Sequence, residues 1–417
     1  MTIVTGMSGN EMFCLHRKGY QVGELVIGNS VCSIGFVGGL ASGLKTLAGG
    51  EVHQITEIVK EGRTRSFERM IGEAKKHGGI GITGVSNELI VHVGNVEFLS
   101  VGSCVHRENQ RSEELGFSSS ADGQELYCQI DSGFNPLKFV FGNVAYSIGI
   151  GGGLLGSLRS LARGEIHEFS EIFNKTRHLA LQRITSEARE VGANAVVGIK
   201  TVILPFQGMQ EMVMIGTASH HPSLPAQFSK NPITSDLTNE EMWNMIHMGF
   251  MPIQLVLGVS VYSVGLVGGI ASALKSLAKG EINELTTLIY DARENSIDLI
   301  KKDAEASGAD DVMGVKTYVY ELGGGIIEFM AMGTAVKKME GLSTQSDALP
   351  PQAVMKDKDT FINVAEFSMG ANLNKAWPEL LPGLTFFDAC HAGLSPACQA
   401  SCHTDSTARR GYFPCAI

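Results

Sequence analysis

Three groups of side chains in this sequence are of types that bind metals. In the first, an imidazole follows a carboxylate by two positions, as in Glu51 with His53 and Glu165 with His167. Carboxylate and imidazole together suit a transition metal such as zinc, copper or nickel. A third occurrence, at Glu281, has asparagine in place of the imidazole. Stabilisation of a helix start is the alternative, because an acidic residue is favourable in the first turn of a helix.

The second group is a pair of thiols. Cys14 and Cys128 occupy equivalent positions in two internal repeats, and Asn244 takes that position in a third. Thiols at symmetric positions could face one another around a pseudo-ring and bind a soft metal. The alternative is that each is a small buried residue of an apolar core.

The third group lies close to the C-terminus. Six donors fall within 26 residues, namely Cys390, His391, Cys398, Cys402, His403 and Cys415. Such a set could bind zinc. The spacings match no zinc-knuckle pattern and no ββα unit surrounds them, so a disordered tail is the favoured alternative.

Glycine-rich stretches also recur, as GFVGG, GIGGG and GLVGG. None completes a dinucleotide signature with its following acidic residue, or a GKS or GKT phosphate motif, so close backbone packing explains them more simply. The sequence also lacks a nucleophile elbow, an HExxH motif and a repeated carboxylate pair. We therefore expect no catalytic or cofactor-binding residues, with an enzyme acting at an intermodule cleft as the alternative.

The elements that position these groups occur three times. LVIGNSVCSIGFVGGLASGLKTLAGGE begins at Leu25, FVFGNVAYSIGIGGGLLGSLRSLARGE at Phe139, and LVLGVSVYSVGLVGGIASALKSLAKGE at Leu255. Each copy offers about 20 apolar residues, which is roughly the length of a membrane-spanning helix. Ser, Asn and repeated glycines interrupt every copy, and only its second half has a helical pattern. We therefore predict a buried strand, a glycine turn and a short helix, and keep a membrane-associated oligomer as an alternative.

The flanking pattern predicts an α+β module. A helix begins at each capping box, a pairing of a cap residue with a glutamate three positions later. These boxes are Ser8 with Glu11, Asp122 with Glu125, and Thr238 with Glu241. A long amphipathic helix follows the glycine stretch, and two strands separated by a short turn close each copy. The sequence thus predicts three tandem two-layer modules, each a three-stranded antiparallel sheet with a long helix.

Polar linkers separate the copies and place the modules at residues 8–106, 122–220 and 238–338, before a partly disordered, Cys-containing tail at 339–417. The net charge of -10 provides no basic surface for nucleic acid. Eight cysteines in 417 residues are too few for a disulfide scaffold, and the N-terminal residues lack a signal-peptide pattern, so we expect a cytoplasmic protein.

Several motifs resemble the YbjQ family, whose members carry a heavy-metal-binding label. They are GANAVVGIK from Gly192, SGADDVMGVK from Ser307, the closing GTAV from Gly333, and the three strand-to-glycine-to-helix stretches. Copy one departs from this pattern at Gly78, where it reads GGIGI. The resemblance implies a dodecin-like α+β fold and small ring-shaped oligomers, and it supplies no ligand set.

These observations predict a non-enzymatic, oligomeric binding or scaffold protein that carries a heavy or transition metal. Its expected partners are its own modules and further copies of the chain. A lone three-stranded sheet leaves its edges open for pairing, so we expect the modules to associate edge to edge.

Overall fold

The computed structural model describes residues 2–33, 50–92, 95–108, 114–147, 164–206, 209–263, 283–323 and 326–356. Module 1 contains α1 (Gly9–Arg17), β1 (Gln21–Ser33), β2 (Gly50–Glu51), α2 (His53–Lys76), β3 (Gly81–His92) and β4 (Asn95–His106). Module 2 contains β5 (Phe117–Ser118), α3 (Gly123–Asp131), β6 (Asn135–Ser147), β7 (Gly164–Glu165), α4 (His167–Glu190), β8 (Ala195–Phe206), β9 (Met209–His220) and a 3₁₀ turn, Ala226–Ser229. Module 3 contains β10 (Ile233–Thr234), α5 (Asn239–His247), β11 (Phe250–Ser263), α6 (Asn283–Ser307), β12 (Asp311–Gly323) and β13 (Ile326–Lys338), and α7 (Pro351–Val354) follows. The predicted glycine turn and short helix lie outside the described residues in all three copies.

The short helices begin at the predicted capping boxes. The side chains of Ser8, Asp122 and Thr238 each accept a hydrogen bond from the backbone amide of the glutamate three positions later, and the carboxylate of that glutamate accepts one from the backbone amide of the cap residue. The helices end at glycines with positive φ, which only glycine adopts without strain. These glycines are Gly19, Gly133 and Gly249. Gly78, Gly192 and Gly308 end the long helices in the same way.

Three antiparallel strands form the sheet of each module. The first strand pairs with the last, which pairs with the middle one, giving the orders β1-β4-β3, β6-β9-β8 and β11-β13-β12. The long helix covers one face of each sheet and approaches the first strand at Gly28, Gly142 and Gly258. A Cβ atom on any of these glycines would overlap the backbone of the covering helix. This arrangement confirms the predicted α+β module, repeated three times.

Short strands link neighbouring modules at the sheet edges. β2 of module 1 pairs with β6 of module 2, and β7 of module 2 pairs with β11 of module 3. In the opposite direction, β5 and β10 pair in parallel with β3 and β8 of the preceding module. The modules therefore meet along their sheet edges through two-residue strands, and residues 1–356 form one compact unit.

The short helices pack side by side, with α3 between α1 and α5. The segment 341–356, named here the C-terminal strap, lies against them. Asp131 accepts hydrogen bonds from Lys18, Trp243 and Ser346, and so joins α1, α5 and the strap to α3. Within the described residues, no helix is both long and apolar enough to cross a membrane.

Candidate functional site

A fully buried ion pair lies between modules 1 and 2. Arg63 of α2 is 1% exposed and Glu211 of β9 is 0% exposed. The guanidinium donates two parallel hydrogen bonds to the carboxylate, at 3.1 and 2.8 Å. Its remaining nitrogen donates to the carbonyl and side-chain oxygens of Asn87, both at 2.8 Å. This geometry satisfies the charge almost completely, as a buried pair requires.

The same pair recurs between modules 2 and 3. Arg177 of α4 donates to Glu328 of β13 at 2.7, 2.9 and 3.2 Å, and both residues are 0% exposed. Here the guanidinium carbon stands 4.4 Å from the ring centre of Tyr146, and no hydrogen-bond partner of Nη1 lies within the described residues. Burial raises the pKa of Glu328, and the Arg177 charge opposes that rise. Helix and sheet of successive modules are thus joined twice by the same chemistry.

At one repeat position of the long helices, a hydroxyl group accepts a hydrogen bond from a backbone amide on the outer edge of the next module's first strand. Thr56 Oγ1 accepts from the Ala145 amide at 3.0 Å, and Ser170 Oγ accepts from the Val261 amide at 2.9 Å. Beside the first contact, Arg183 of module 2 forms an ion pair with Glu51 of module 1 at 2.7 Å. The hydroxyls of Thr56 and Ser170 therefore complete sheet edges that would otherwise expose unpaired backbone groups.

The predicted carboxylate–imidazole pairs lie at these same edges. His53 Nδ1 is 3.8 Å from Glu51, and His167 Nδ1 is 3.3 Å from Glu165. Both imidazoles project into solvent, with 72% and 84% of their side chains exposed. The glutamates lie in β2 and β7, and the helices that follow have Val52 and Ile166 as caps, without a side-chain cap bond. The expected helix-start role is therefore replaced by contacts across the module interfaces.

Cys14 and Cys128 come close together on adjacent helices. Both are fully buried in one cluster with Tyr127, Trp243 and Ala353 of the strap. Asn244, which aligns with them in the third module, is exposed, and its neighbour Trp243 enters the cluster instead. Burial, with smaller effects of Asp122 and Glu11, raises the pKa of Cys14 to about 11. Burial raises the pKa of Cys128 as well. Both thiols are therefore protonated at neutral pH, whereas metals bind the thiolate.

The tail donors Cys390, His391, Cys398, Cys402 and His403 lie outside the described residues. In the described part of the chain, no three His, Cys, Asp or Glu side chains form a group that could hold a metal ion. Each Glu–His pair supplies two ligands, which is fewer than the three or four protein ligands of a zinc site. A metal bound at either pair would need further donors.

A cleft of about 550 Å³ opens between modules 2 and 3. Its lining is rich in polar and basic side chains, among them His178, Gln182, Arg189, Asn231, Gln254 and Lys337. His178 Nε2 lies 3.2 Å from Asp303 of α6, and this contact raises the pKa of the imidazole. At the equivalent place between modules 1 and 2, the rings of Phe67 and Phe139 pack with centroids 5.2 Å apart. The polar cleft therefore distinguishes one module interface from the other.

A smaller cavity of about 240 Å³ lies between β8 and β12 and contains two lysine–carboxylate pairs. Lys200 is 3.3 Å from Glu125, and Lys316 is 3.9 Å from Asp236. Burial raises the pKa of both carboxyls, and the lysines oppose it. Glu125 also completes the capping box of α3, and Asp236 accepts a hydrogen bond from Thr334 of β13.

Comparison with known proteins agrees with the threefold architecture. A family described as "Putative heavy-metal-binding", YbjQ, matches residues 15–106, 134–221 and 251–339, more than half of the chain. The chain belongs to the YbjQ family. The encapsulin nanocompartment protein Rv1762c of Mycobacterium tuberculosis is 32% identical over 211 residues, covering 48% of this chain and 78% of that protein.

Shorter relatives match one YbjQ module. A UPF0145 protein of Methanocella arvoryzae is 44% identical over 81 residues, covering 19% of this chain and 68% of the relative. Another, from Saccharolobus islandicus, is 45% identical over 83 residues, covering 20% of this chain and 73% of the relative. One YbjQ module is thus most of a protein in these relatives, whereas this chain carries three.

The intermodule ion pairs were missed by reasoning from the sequence, because each joins residues about 150 positions apart. Their signal was nonetheless present. Arg63, Arg177 and Arg293 interrupt the small and apolar stripe of the long helices at one repeat position. Glu97, Glu211 and Glu328 likewise stand at one position of the last strand. A charge at a core position of every copy indicates a buried pair.

Proposed function

We propose that this chain is a non-enzymatic scaffold whose YbjQ modules assemble through a repeated interface, with a transition metal as its cargo. One observation carries the proposal, namely the buried arginine–glutamate pair found at both module junctions. A buried pair is geometrically demanding and penalises mismatched partners, so it serves specific pairing better than general stability. This pair, whose arginine and glutamate recur in every copy, thus supports the joining of modules to one another.

The scaffold is proposed to be oligomeric. One relative is named as an encapsulin nanocompartment protein, which supports a place for this chain in a larger protein assembly.

Low cysteine density supports a reduced, cytoplasmic setting. In the described residues, Cys14, Cys32, Cys104 and Cys128 are all free thiols, in agreement with that setting.

The oligomer is testable with the purified full chain. Light scattering coupled to size exclusion, run over a hundredfold range of concentration, should give a mass that is a multiple of 44.6 kDa. A mass of one chain at every concentration would contradict the assembly part of the proposal.

The proposed metal positions are the two Glu–His pairs and, as a separate candidate, the Cys and His donors of the tail. The pair in module 2 suits a metal better than the pair in module 1. Glu165 accepts hydrogen bonds from the neutral side chains of Ser170 and Asn295, whereas Glu51 already forms an ion pair with Arg183. Cys14 and Cys128 remain a proposed soft-metal pair that would have to lose its protons on binding.

Metal uptake is tested by equilibrium dialysis against zinc, copper or nickel, followed by elemental analysis. Full-length protein is compared with a His53→Ala, His167→Ala variant and with a chain ending at residue 356. Stoichiometric uptake that falls in either variant supports the proposal. Absence of uptake by the full chain would remove the metal from it.

A second candidate is an enzyme acting at an intermodule cleft. The polar cleft between modules 2 and 3 favours it, because about 550 Å³ is the size of a small-molecule pocket and several polar side chains converge on it. Thermal-shift measurements with small carboxylates and phosphates test it, with Leu181→Trp as the cleft-filling variant. Saturable stabilisation that the variant loses would support this candidate, and an unchanged melting temperature with every compound would reject it.

A further inference from the structure

At the two ends of the three-module unit lie the arginine and the glutamate that, within the described residues, do not form the junction ion pair. Arg293 of α6 holds the repeat position of Arg63 and Arg177 and is exposed, whereas those two are 1% and 0% exposed. At the other end, Glu97 of β4 holds the position of Glu211 and Glu328. Its side chain is 19% exposed, whereas theirs are fully buried.

The partners of these two residues come from their own modules. Glu97 is bonded to His92 at 2.7 Å and to Asn29 at 3.3 Å, both in module 1. The Arg293 guanidinium carbon lies 6.0 Å from the ring centre of Phe329, in module 3. Thus one end of the chain presents an anion and the other presents the cation that matches it at both internal junctions.

Apolar side chains are exposed at both ends of the three-module unit, and those on β1 stand at positions that are buried at the internal junctions. Ile27 and Val31 on the outer part of β1 are 47% and 57% exposed. Their equivalents in the later modules are covered by the preceding long helix, with Phe141 at 4%, Ala145 at 0%, Leu257 at 1% and Val261 at 0%. At the opposite end, Tyr290 of α6 is 60% exposed. Exposed β-branched side chains beside an open strand are typical of a surface that another chain covers.

The open backbone edge of β1 also matches a group on α6 at the other end of the chain. β1 is the outer strand of its sheet, and no strand of the described residues pairs on its open side. At both internal junctions a hydroxyl of the preceding helix, from Thr56 or Ser170, accepts an amide of that edge. Thr286 of α6 stands at the same repeat position and is exposed. Thr286 thus stands at the far end of the chain where Thr56 and Ser170 stand at the two internal junctions.

We propose that a second copy of this chain docks head to tail, placing α6 and Arg293 of one copy on β1 and Glu97 of the next. This inference rests on the proposed assembly function and names its contact. The contact is heterologous, since different surfaces of the two copies meet. Repetition of such a contact closes into a ring or continues as a filament. The two intramolecular junctions supply its geometry, and charge complementarity selects a copy of the chain as the occupant.

Charge reversal at each end tests the contact. Arg293→Glu gives a chain with glutamate at both ends, and Glu97→Arg gives a chain with arginine at both ends. Each variant alone should lose association, with a dissociation constant raised at least about 30-fold, because like charges meet in a desolvated contact. An equimolar mixture should regain association, because a junction between the two unlike variants pairs glutamate with arginine. Both positions are remote from the internal junctions, so circular dichroism should stay unchanged.

Two further variants make the test specific. Arg65→Glu reverses an exposed helical arginine, 56% exposed at its side chain, and should leave the mass unchanged. Val31→Asp places a charge in the apolar part of the contact and should lose association without rescue by either charge variant.

The outcomes separate this inference from the function on which it rests. If the wild-type chain associates and both reversed variants associate equally well, the contact is wrong while the assembly function stands. If each variant dissociates but the mixture does not recover, the ends do not meet each other and the inference is overturned. If the wild-type chain is monomeric, the assembly function itself fails.

Discussion

The junction between modules 1 and 2 and the junction between modules 2 and 3 share a framework and differ in what surrounds it. Both contain a buried arginine–glutamate pair, a two-residue strand on the next sheet and a hydroxyl that accepts from the next strand. Around that framework, the first junction is filled by Phe67 and Phe139, and the second opens into a polar cleft. Pairing and packing are therefore separable, since the buried arginine–glutamate pair forms both beside a filled apolar contact and beside an open cleft.

Support of the buried charge also differs between the junctions. Arg63 has Asn87 as a second acceptor, whereas Arg177 has the face of Tyr146. If its carboxylate is removed, Arg63 keeps two hydrogen bonds and Arg177 keeps a ring contact. The second junction therefore depends more on its glutamate than the first.

The largest expected effect comes from breaking each pair. Glu328→Ala and Glu211→Ala should each lower the free energy of unfolding by about 3–5 kcal/mol, because a buried arginine is left without its counter-charge. Glu328→Ala should be the more damaging of the two. Urea denaturation measures both, and Arg177→Met with Glu328→Leu should recover much of the loss. A larger loss in Glu211→Ala would show that Asn87 does not support Arg63.

The next largest loss of stability should follow removal of the Asn174 side-chain amide, which is hydrogen-bonded to the edge of β11 at the second junction. Asn174 donates to the Val259 carbonyl at 2.7 Å and accepts from its amide at 2.8 Å. At the first junction the side-chain amide belongs to the strand rather than to the helix, because Asn143 of β6 donates to the Thr56 carbonyl of α2. Asn174→Leu should cost about 1–3 kcal/mol, since it leaves two backbone groups unpaired. Asn143→Leu is the matched control and should cost less, because it loses fewer bonds, again measured by urea denaturation.

Substitutions at the equivalent positions Phe67 and Leu181 test whether the first junction is closely packed and the second is open. Phe67→Leu should destabilise by about 1–2 kcal/mol, because it removes part of a buried aromatic contact. Leu181→Phe, the reverse change at the second junction, should alter stability by less than about 1 kcal/mol, because the adjoining cleft can accept the ring. Thermal melts of both variants provide the measurement. A strong loss in Leu181→Phe would mean that the cleft is closed in solution.

The smallest effect is a pH dependence confined to the second junction. Asp303 raises the pKa of His178, so this pair adds stability below the unfolded-state value of about 6.5 and loses it as pH rises through the folded-state value. Both side chains are 35% exposed, which limits the contribution to below about 1 kcal/mol. Melting temperatures of the wild type and His178→Asn should therefore differ at pH 5.5 and converge at pH 8.5. Thr64→Ala, at the equivalent position of module 1, should show no such convergence.

The local structure of each module could be predicted from the sequence because its signals are short-range. The capping boxes at Ser8, Asp122 and Thr238, and the helix-ending glycines, act within a few residues of themselves. The period of the long helices and the alternation of the closing strands carry the same kind of information. These features gave the α+β module and its threefold repetition, which the family match confirms.

The relations between modules could not be predicted in this way. Periodicity shows that Arg177 interrupts an apolar stripe, but it does not show that Glu328 of the following module lies opposite. The same limit applies to Glu51, whose neighbour Arg183 is supplied by another module. The metal positions at the Glu–His pairs and in the tail stay predictions, because their remaining ligands depend on such long-range placement.

The close approach of helix and sheet at Gly28, Gly142 and Gly258 has a consequence for arrays of these modules. Because a side chain at any of the three would overlap the covering helix, each long helix approaches its own sheet as closely as a glycine allows. We expect this contact to hold the helix that meets the next module at a similar offset from its own sheet. Chains with fewer or more modules should therefore advance by one common step per module, and side chains at the junctions can diversify without altering that step.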